Sequence, residues 1–330
     1  MSEVSTGAMV AVALLTTGCY TGFSAEADGL GPGASSSQGG GADPTAGDGE
    51  MPGGGDDVPP GSCGDQPLTL GASSLLRLTR RQYASALRDV FGLGELADEL
   101  AAVLPADETL GAFTFNASGT PALLADVVVR NAEVAAEDVV ARYAELMSCS
   151  AEDGAACAED FIDAYAPLVY RRSLEADERT DLLGAYEIGA DTSFEDGLEL
   201  VVAALLSSPS FLYRVESGDG TAGAGVQFEL APHEVASRLS FLLWDGPPDR
   251  ELLDAAEAGE LDSATGRRVV AERLLADPRA ERGILRFHRE WLGIESVLYA
   301  QRDPDLYPDF DEGVAASMTA ETNAFVRHVL

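Results

Sequence analysis

The chain contains no lysine. All 21 of its basic residues are arginine, and they stand against 56 acidic ones in 330 residues, for a formal net charge of −35. The missing lysine removes Schiff-base chemistry and the phosphate-binding lysine of a P-loop. The deficit of positive charge excludes nucleic-acid binding by phosphate neutralisation and argues against adsorption to anionic lipid. Histidine is scarce, with three residues, and no CxxC pair occurs, so a zinc site lacks both its ligands and its spacing. CxxCH is absent, which leaves no c-type haem attachment on this chain, and GxSxG, HExxH and Walker patterns are absent too. The sequence therefore offers no catalytic motif, and the expectation is no cofactor and no metal.

With 46% hydrophobic residues there is material for one or two packed cores, and the length suits two or three modest domains. Ala8 to Leu15 form an apolar run too short to span a bilayer, followed by Thr16, Thr17, Gly18 and Cys19. This resembles a bacterial lipoprotein signal (residues 1–19). The resemblance implies that Cys19 takes a diacylglycerol thioether and becomes the mature N-terminus. The rival reading is an apolar N-terminus on a cytosolic protein.

Residues 20–66 hold fourteen Gly, eight acidic residues and no Arg. So little apolar surface cannot offset backbone entropy, and the segment reads as a disordered, self-repelling tether. Of the four cysteines, Cys149 and Cys157 lie eight residues apart across a polar loop, and a disulfide between them is expected in an oxidising compartment. Cys63 sits alone in the tether.

From Leu70 onward the pattern is helical, and no run shows sustained strand alternation. Thr79 with Gln82 opens an amphipathic helix as a capping box; Tyr83, Leu87, Val90 and Phe91 share its apolar face, and Gly92 closes it. Further helices are expected over Glu95–Leu104, Thr120–Met147, Cys157–Tyr170, Asp177–Ile188 and from Ser193 to Pro209. After the Gly-rich break Ser217–Gly225, others start at Pro232, Pro248 and the Asp277–Pro278 pair, and a last one runs from Phe310 to Leu330. The fold class is all-α: tandem helical bundles after the tether. The final helix has no stop signal and exposes apolar residues, which reads as a truncated chain.

These residues carry a family resemblance. RLTRRQYASALRDVFGL from Arg77 with LPADET from Leu104 resembles the domain of unknown function 1587, placed over residues 67–148. The stretch from Cys157 through AYAPLVYRRSLEADE to LLSSPSFLYRVE resembles domain 1595, placed over 149–216. APHEVASRLSFLLWDGPPDRELLDAAEAGEL from Ala231, with LLADPRAERGILRFHREWLGIE from Leu274, resembles domain 1592, placed over 227–330 and truncated. The resemblance implies an exported protein of the kind found in planctomycetes and myxobacteria. Some such proteins are fused to a cytochrome c domain, which makes a c-type cytochrome a candidate protein partner.

Several polar groupings invite a functional reading beside a plain one. Arg238 lies two helical turns before Asp245, so Arg238, Trp244 and Asp245 are a candidate cluster: a substrate-binding arginine, or an Arg–carboxylate link closing the helix end. Arg171 and Arg172 follow a helix end and complement its dipole more simply than they form an anion site. His288 with Glu290 is a candidate acid–base pair, although residues two apart do not face each other, so a solvated face is the simpler reading. Phe287 and Trp291 read as core. Asp56/Asp57 and Asp303/Asp305 lack an EF-hand frame. Together these readings point to an exported, lipid-anchored helical protein, extracytoplasmic and held to the membrane through Cys19, with an interaction or scaffolding role at the envelope. The alternative is a subunit of an extracytoplasmic cytochrome-linked redox or polymer-degrading system.

Overall fold

The Thr79–Gln82 capping box forms as its spacing requires: the threonine hydroxyl accepts from the Gln82 N–H at 3.2 Å, and the glutamine carbonyl accepts from the Thr79 N–H at 3.2 Å. It starts α1 (Arg80–Phe91), which ends at Gly92 in the left-handed region, φ 71°. The structure is a computed structural model describing residues 75–110, 112–117, 123–218 and 228–329. Cys19, Cys63, Asp56, Asp57, the tether and the expected start at Thr120 and Pro121 lie outside them.

After α1 come α2 (Gly94–Ala102), α3 (Leu124–Ala141), the short α4 (Tyr143–Leu146), α5 (Ala155–Tyr170), α6 (Ala176–Ala190), α7 (Phe194–Ser207) and the short α8 (Pro209–Leu212). The chain continues through α9 (Pro232–Leu243), α10 (Arg250–Glu257), α11 (Ala264–Ala276), α12 (Ala280–Leu292) and α13 (Glu312–Val329). The architecture is all-α. Strand among the described residues is limited to two antiparallel two-residue pairs: β1 (Leu76–Arg77) with β4 (Tyr213–Arg214), and β2 (Thr109–Leu110) with β3 (Phe113–Thr114).

Two helix starts differ from the sequence expectation for a local reason. Pro248 precedes α10 without opening it; Asp249 is the cap, its carboxylate accepting from the Leu252 N–H at 2.9 Å. Asp277 caps a turn rather than α12 itself, accepting from the Arg279 N–H at 2.8 Å, and α12 begins one residue later. The expected long helix to Met147 breaks at Arg142, which serves as C-cap of α3 and N-cap of α4.

The domain boundaries read from sequence are not the boundaries of packing. One core runs from Leu78 through α1, α2, α3, α5, α6, α7 and α8 and takes in Phe241 from α9. A second, smaller core joins Ala236, Trp244, Leu252, Ala256, Leu261, Val270, Leu274 and Ala280. The first two sequence domains thus share one interior. Each buried Leu or Phe contributes roughly 1.5–3 kcal/mol of transfer free energy to it. The tightest helix contacts rest on glycine: a Cβ at Gly189 would stand 2.4 Å from the Asp196 carbonyl oxygen, and one at Gly283 would stand 2.1 Å from the Leu243 carbonyl oxygen.

Cys149 and Cys157 form a disulfide, Cα–Cα 5.5 Å, tying the segment after α4 to the first turns of α5. Phe287 and Trp291 are corrections to the expected core, and Val134 and Leu242 are exposed as well. Val134 is exposed because small residues, Ala132, Ala135 and Ala136, make the buried face of α3. Leu242, Phe287 and Trp291 stand in solvent, with Trp291 60% exposed; Phe287 stacks on Trp291 and on Phe113 of β3. No described helix is long and apolar enough to cross a membrane.

Candidate functional site

The WDG turn at the end of α9 ties distant segments together. Trp244 is fully buried, its indole N–H donates to the Leu274 carbonyl at 2.8 Å, and the Arg279 guanidinium lies 3.6 Å over its ring. Asp245 follows in the left-handed region, φ 50°, a conformation that aspartate tolerates better than most side chains. That reversal sends its carboxylate away from α9 and back to α1. There it accepts from the Gln82 amide at 3.1 Å and pairs with Arg81 at 3.4 Å and with Arg286 of α12 at 3.2 Å. A Cβ at Gly246, the next residue, would lie 2.5 Å from the Arg282 guanidinium and 2.7 Å from the Asp89 carboxylate, which pair at 2.6 Å, so a side chain there would displace the ends of that ion pair.

The grouping of Arg238 with Asp245 and Trp244 is therefore replaced by a different arrangement. Arg238 pairs bidentately with Glu216 at 2.7 and 2.6 Å, while Asp245 belongs to Arg81, Gln82 and Arg286. The two-turn argument fails because α9 ends at Leu243, so helical spacing does not extend to residue 245.

Glu290 is likewise buried, 6% exposed, and not on a solvated face. It pairs with Arg81, and with Arg286 at 3.2 Å. His288 points elsewhere: its Nδ1 lies 2.8 Å from the Ile284 carbonyl, and its ring meets Phe287 and Trp291 edge-on. Arg171, 5% exposed at the left-handed end of α5, donates to the carbonyls of Val169, Ser210, Phe211 and Tyr213 at 2.5–3.1 Å. Burial, then the neighbouring Arg214 and Arg172, push its pKa down to about 9, and the guanidinium stays charged at neutral pH. Arg172 pairs with Glu178, two bonds of 2.7 Å. Asp303 accepts from the Asp305 N–H at 2.9 Å in an exposed turn. Among the described residues no group of three or more His, Cys, Asp and Glu side chains is placed to hold a metal ion.

Beside the Asp245 network opens a cleft of about 440 Å³. Its polar lining includes Arg77, Arg214, Arg238, Arg286, Gln82 and Glu216, and Phe115, Phe241 and Leu242 are among its apolar walls. Sequence reading singled out Arg238 alone of the four arginines. Arg77, Arg214 and Arg286 carry no local signal, because the first two lie on strands only two residues long and the third on a helix rich in charge.

Three protein families match the chain in the order that its residues suggest. They are Protein of unknown function (DUF1587) over residues 77–141, (DUF1595) over 157–216 and (DUF1592) over 230–330. Arg77 comes from the first segment, Arg214 and Glu216 from the second, Arg238 and Arg286 from the third. No curated protein and no solved structure matches the chain.

Proposed function

For a chain that joins these three families of unknown function in this order, we propose an exported, lipid-anchored helical protein with an interaction or scaffolding role at the cell envelope. The observation that carries the interaction role is the use made of the polar residues. Asp245 and Glu290 are occupied with Arg81 and Arg286, Arg238 with Glu216, and the His288 ring nitrogen with a carbonyl of its own helix. Groups that hold segments together in this way are spent on architecture, whereas an acid–base enzyme presents such groups jointly in a cleft.

The Cys149–Cys157 disulfide supports a site outside the reducing cytosol. The signal-like run ending at Cys19 supports an anchor there, and a Gly-rich, acidic stretch of 47 residues suits a spacer between lipid and helical body.

Radiolabelled palmitate given to cells expressing the full chain tests the anchor. The label is expected on the wild-type protein in the membrane fraction and absent from Cys19→Ala. Unlabelled wild-type protein in the cytosol, with Cys149 and Cys157 recovered as free thiols, overturns the proposal.

A further inference from the structure

The two cores meet across a seam that is built differently from either. Helices α1 to α8, with the four short strands, form one lobe around the first core, and α9 to α13 form a second lobe that holds the other. Phe241 is the only described residue of the second lobe in the first core, and no described residue before α9 enters the second core. The hydrogen bonds and ion pairs across the seam come from charged and polar side chains. Asp245 accepts from Gln82 at 3.1 Å and pairs with Arg81 at 3.4 Å, Glu290 pairs with Arg81, and Arg282 pairs with Asp89 at 2.6 Å. Arg250 donates to the Ala164 carbonyl, Ser173 to Glu257, and Phe113 stacks on Phe287. The matched segments divide at the same place: those over 77–141 and 157–216 lie in the first lobe, and the one over 230–330 lies in the second.

Breaking a buried ion pair is costly when it leaves a bare charge behind. This seam avoids that outcome, because its buried groups keep a partner inside their own lobe. Asp245 and Glu290 each pair with Arg286 at 3.2 Å, Arg282 also donates to the Trp244 carbonyl at 2.5 Å, and Gln82 retains its capping box with Thr79. Arg81 is 40% exposed and takes up water readily, and the Asp89 carboxylate is hydrated once Arg282 withdraws. While the seam is closed, attraction prevails: burial opposes the charge on Arg81, yet Asp245, Glu290 and Glu295 hold its pKa above the ordinary value.

The cleft of about 440 Å³ straddles this seam: Arg77, Gln82 and Arg214 line it from the first lobe, and Arg238, Leu242 and Arg286 line it from the second. We propose that the two lobes work as a clamp, parting along the polar seam with Phe241 as the seated pivot and so widening the cleft between them. Polar interfaces within a chain permit relative motion that large apolar ones resist. Each lobe keeps its own core when they part, so the opening is a sub-global step and not unfolding. Phe241 stays seated because its ring is buried in the first core, with Arg214 4.6 Å over it. The inference concerns the helical body alone and holds wherever the protein resides.

Distances between nitroxide labels, read by pulsed electron resonance on the purified full chain, test it. Labels at Glu133→Cys of α3 and Glu272→Cys of α11 span the seam, whereas labels at Glu133→Cys and Glu187→Cys of α6 stay within the first lobe; all three positions are exposed. Cys19→Ala and Cys63→Ser remove the other thiols, since Cys149 and Cys157 are bonded to each other. At about 0.15 M salt the spanning pair is expected to show a main distance with a longer minor one, and the pair within the lobe a single distance.

Raising the salt to about 1 M, which shortens the screening length to roughly 3 Å, is expected to enlarge the longer population severalfold. Arg81→Gln combined with Asp89→Asn, which takes the first lobe's charges out of the ion pairs at Asp245, Glu290 and Arg282, is expected to enlarge it roughly tenfold. The salt series keeps the wild-type seam and decides the matter even if that variant folds poorly. A spanning distance as narrow as the one within the lobe under every condition overturns the inference. So does a longer population that neither salt nor the variant changes, or a broadening that both label pairs share. Palmitate labelling is untouched by any of these outcomes, so this inference and the anchoring proposal fail separately.

Discussion

The Gln82 side-chain amide donates to the Asp245 carboxylate at 3.1 Å across 163 residues of sequence. Gln82 thereby does two jobs: its carbonyl closes the capping box that starts α1, and its amide fixes the turn that ends α9. The start of the first matched segment and the middle of the third are thus held by one side chain, with Arg81 beside it reaching Asp245 and Glu290.

Removing the Asp245 carboxylate should therefore be expensive. Asp245→Ala leaves Arg286 largely buried with Glu290 as its remaining carboxylate among the described residues, and a cost of about 3 kcal/mol in denaturant unfolding is expected. Arg238→Ala, which breaks a pair whose arginine is 55% exposed, should cost under about 1 kcal/mol. A double-mutant cycle between residues 82 and 245 should give a coupling on the order of 1 kcal/mol, against near zero between residues 238 and 245. The reverse pattern would contradict the arrangement.

The α9–α12 crossing allows no methyl group at Gly283. A Cβ there would meet the Leu243 carbonyl oxygen at 2.1 Å, and backbone cannot yield as a side-chain tip can. Gly283→Ala should destabilise by about 3 kcal/mol through forced separation of the helices, where a glycine-to-alanine change inside an unhindered helix would stabilise. A raised Tm in this variant would show the crossing to be looser than described.

Reduction of the Cys149–Cys157 bond releases a short loop, worth about 2–3 kcal/mol in the chain-entropy picture. Cys149→Ser with Cys157→Ser should lower the Tm by several degrees, and reductant should then have no further effect on the double variant. Equal stability with and without reductant in the wild-type chain would rule out a structural contribution.

Alkaline unfolding should bear the mark of Tyr83. Burial pushes its phenol up to about 12, against roughly 10 in an unfolded chain. Its contribution is fully present below pH 10 and is lost as pH rises from 10 through 12, because the unfolded state releases the proton first; the loss is on the order of 2–3 kcal/mol. The Tyr83 hydroxyl has no hydrogen-bond partner among the described residues, and the Asn131 amide close to it donates to the Leu100 carbonyl instead. Tyr83→Phe should therefore be neutral or stabilising at pH 7 and should flatten the fall in stability above pH 10. Lower stability of Tyr83→Phe at pH 7 would reveal a hydroxyl contact.

Much of the helical architecture was legible in advance. Thr79, Gln82 and Gly92 mark α1, Ser193 marks α7, whose Asp196 N–H its hydroxyl accepts at 3.0 Å, and Gly293 ends α12 at φ 62°. The Cys149–Cys157 bridge was legible for the same reason, since both ends lie in one short stretch. Phe287 and Trp291 stand outside the core although their spacing suits it, because helical spacing reports which residues share a face, and not whether another element covers it. The same spacing joins Arg238 to Asp245 only if it is carried past Leu243, where the helix ends.

The sequence by itself determined the class of fold, the helix starts and stops and the disulfide, because capping, periodicity and short loops act between residues a few positions apart. Tertiary structure alone decided that two sequence domains share one interior, and that Arg77, Arg214, Arg238 and Arg286 line a common cleft. Those arginines span more than 200 positions, and nothing within a turn of any of them records whether a carboxylate from elsewhere will arrive to neutralise it. Packing made that choice, by bringing Glu216 to Arg238 and Asp245 to Arg286.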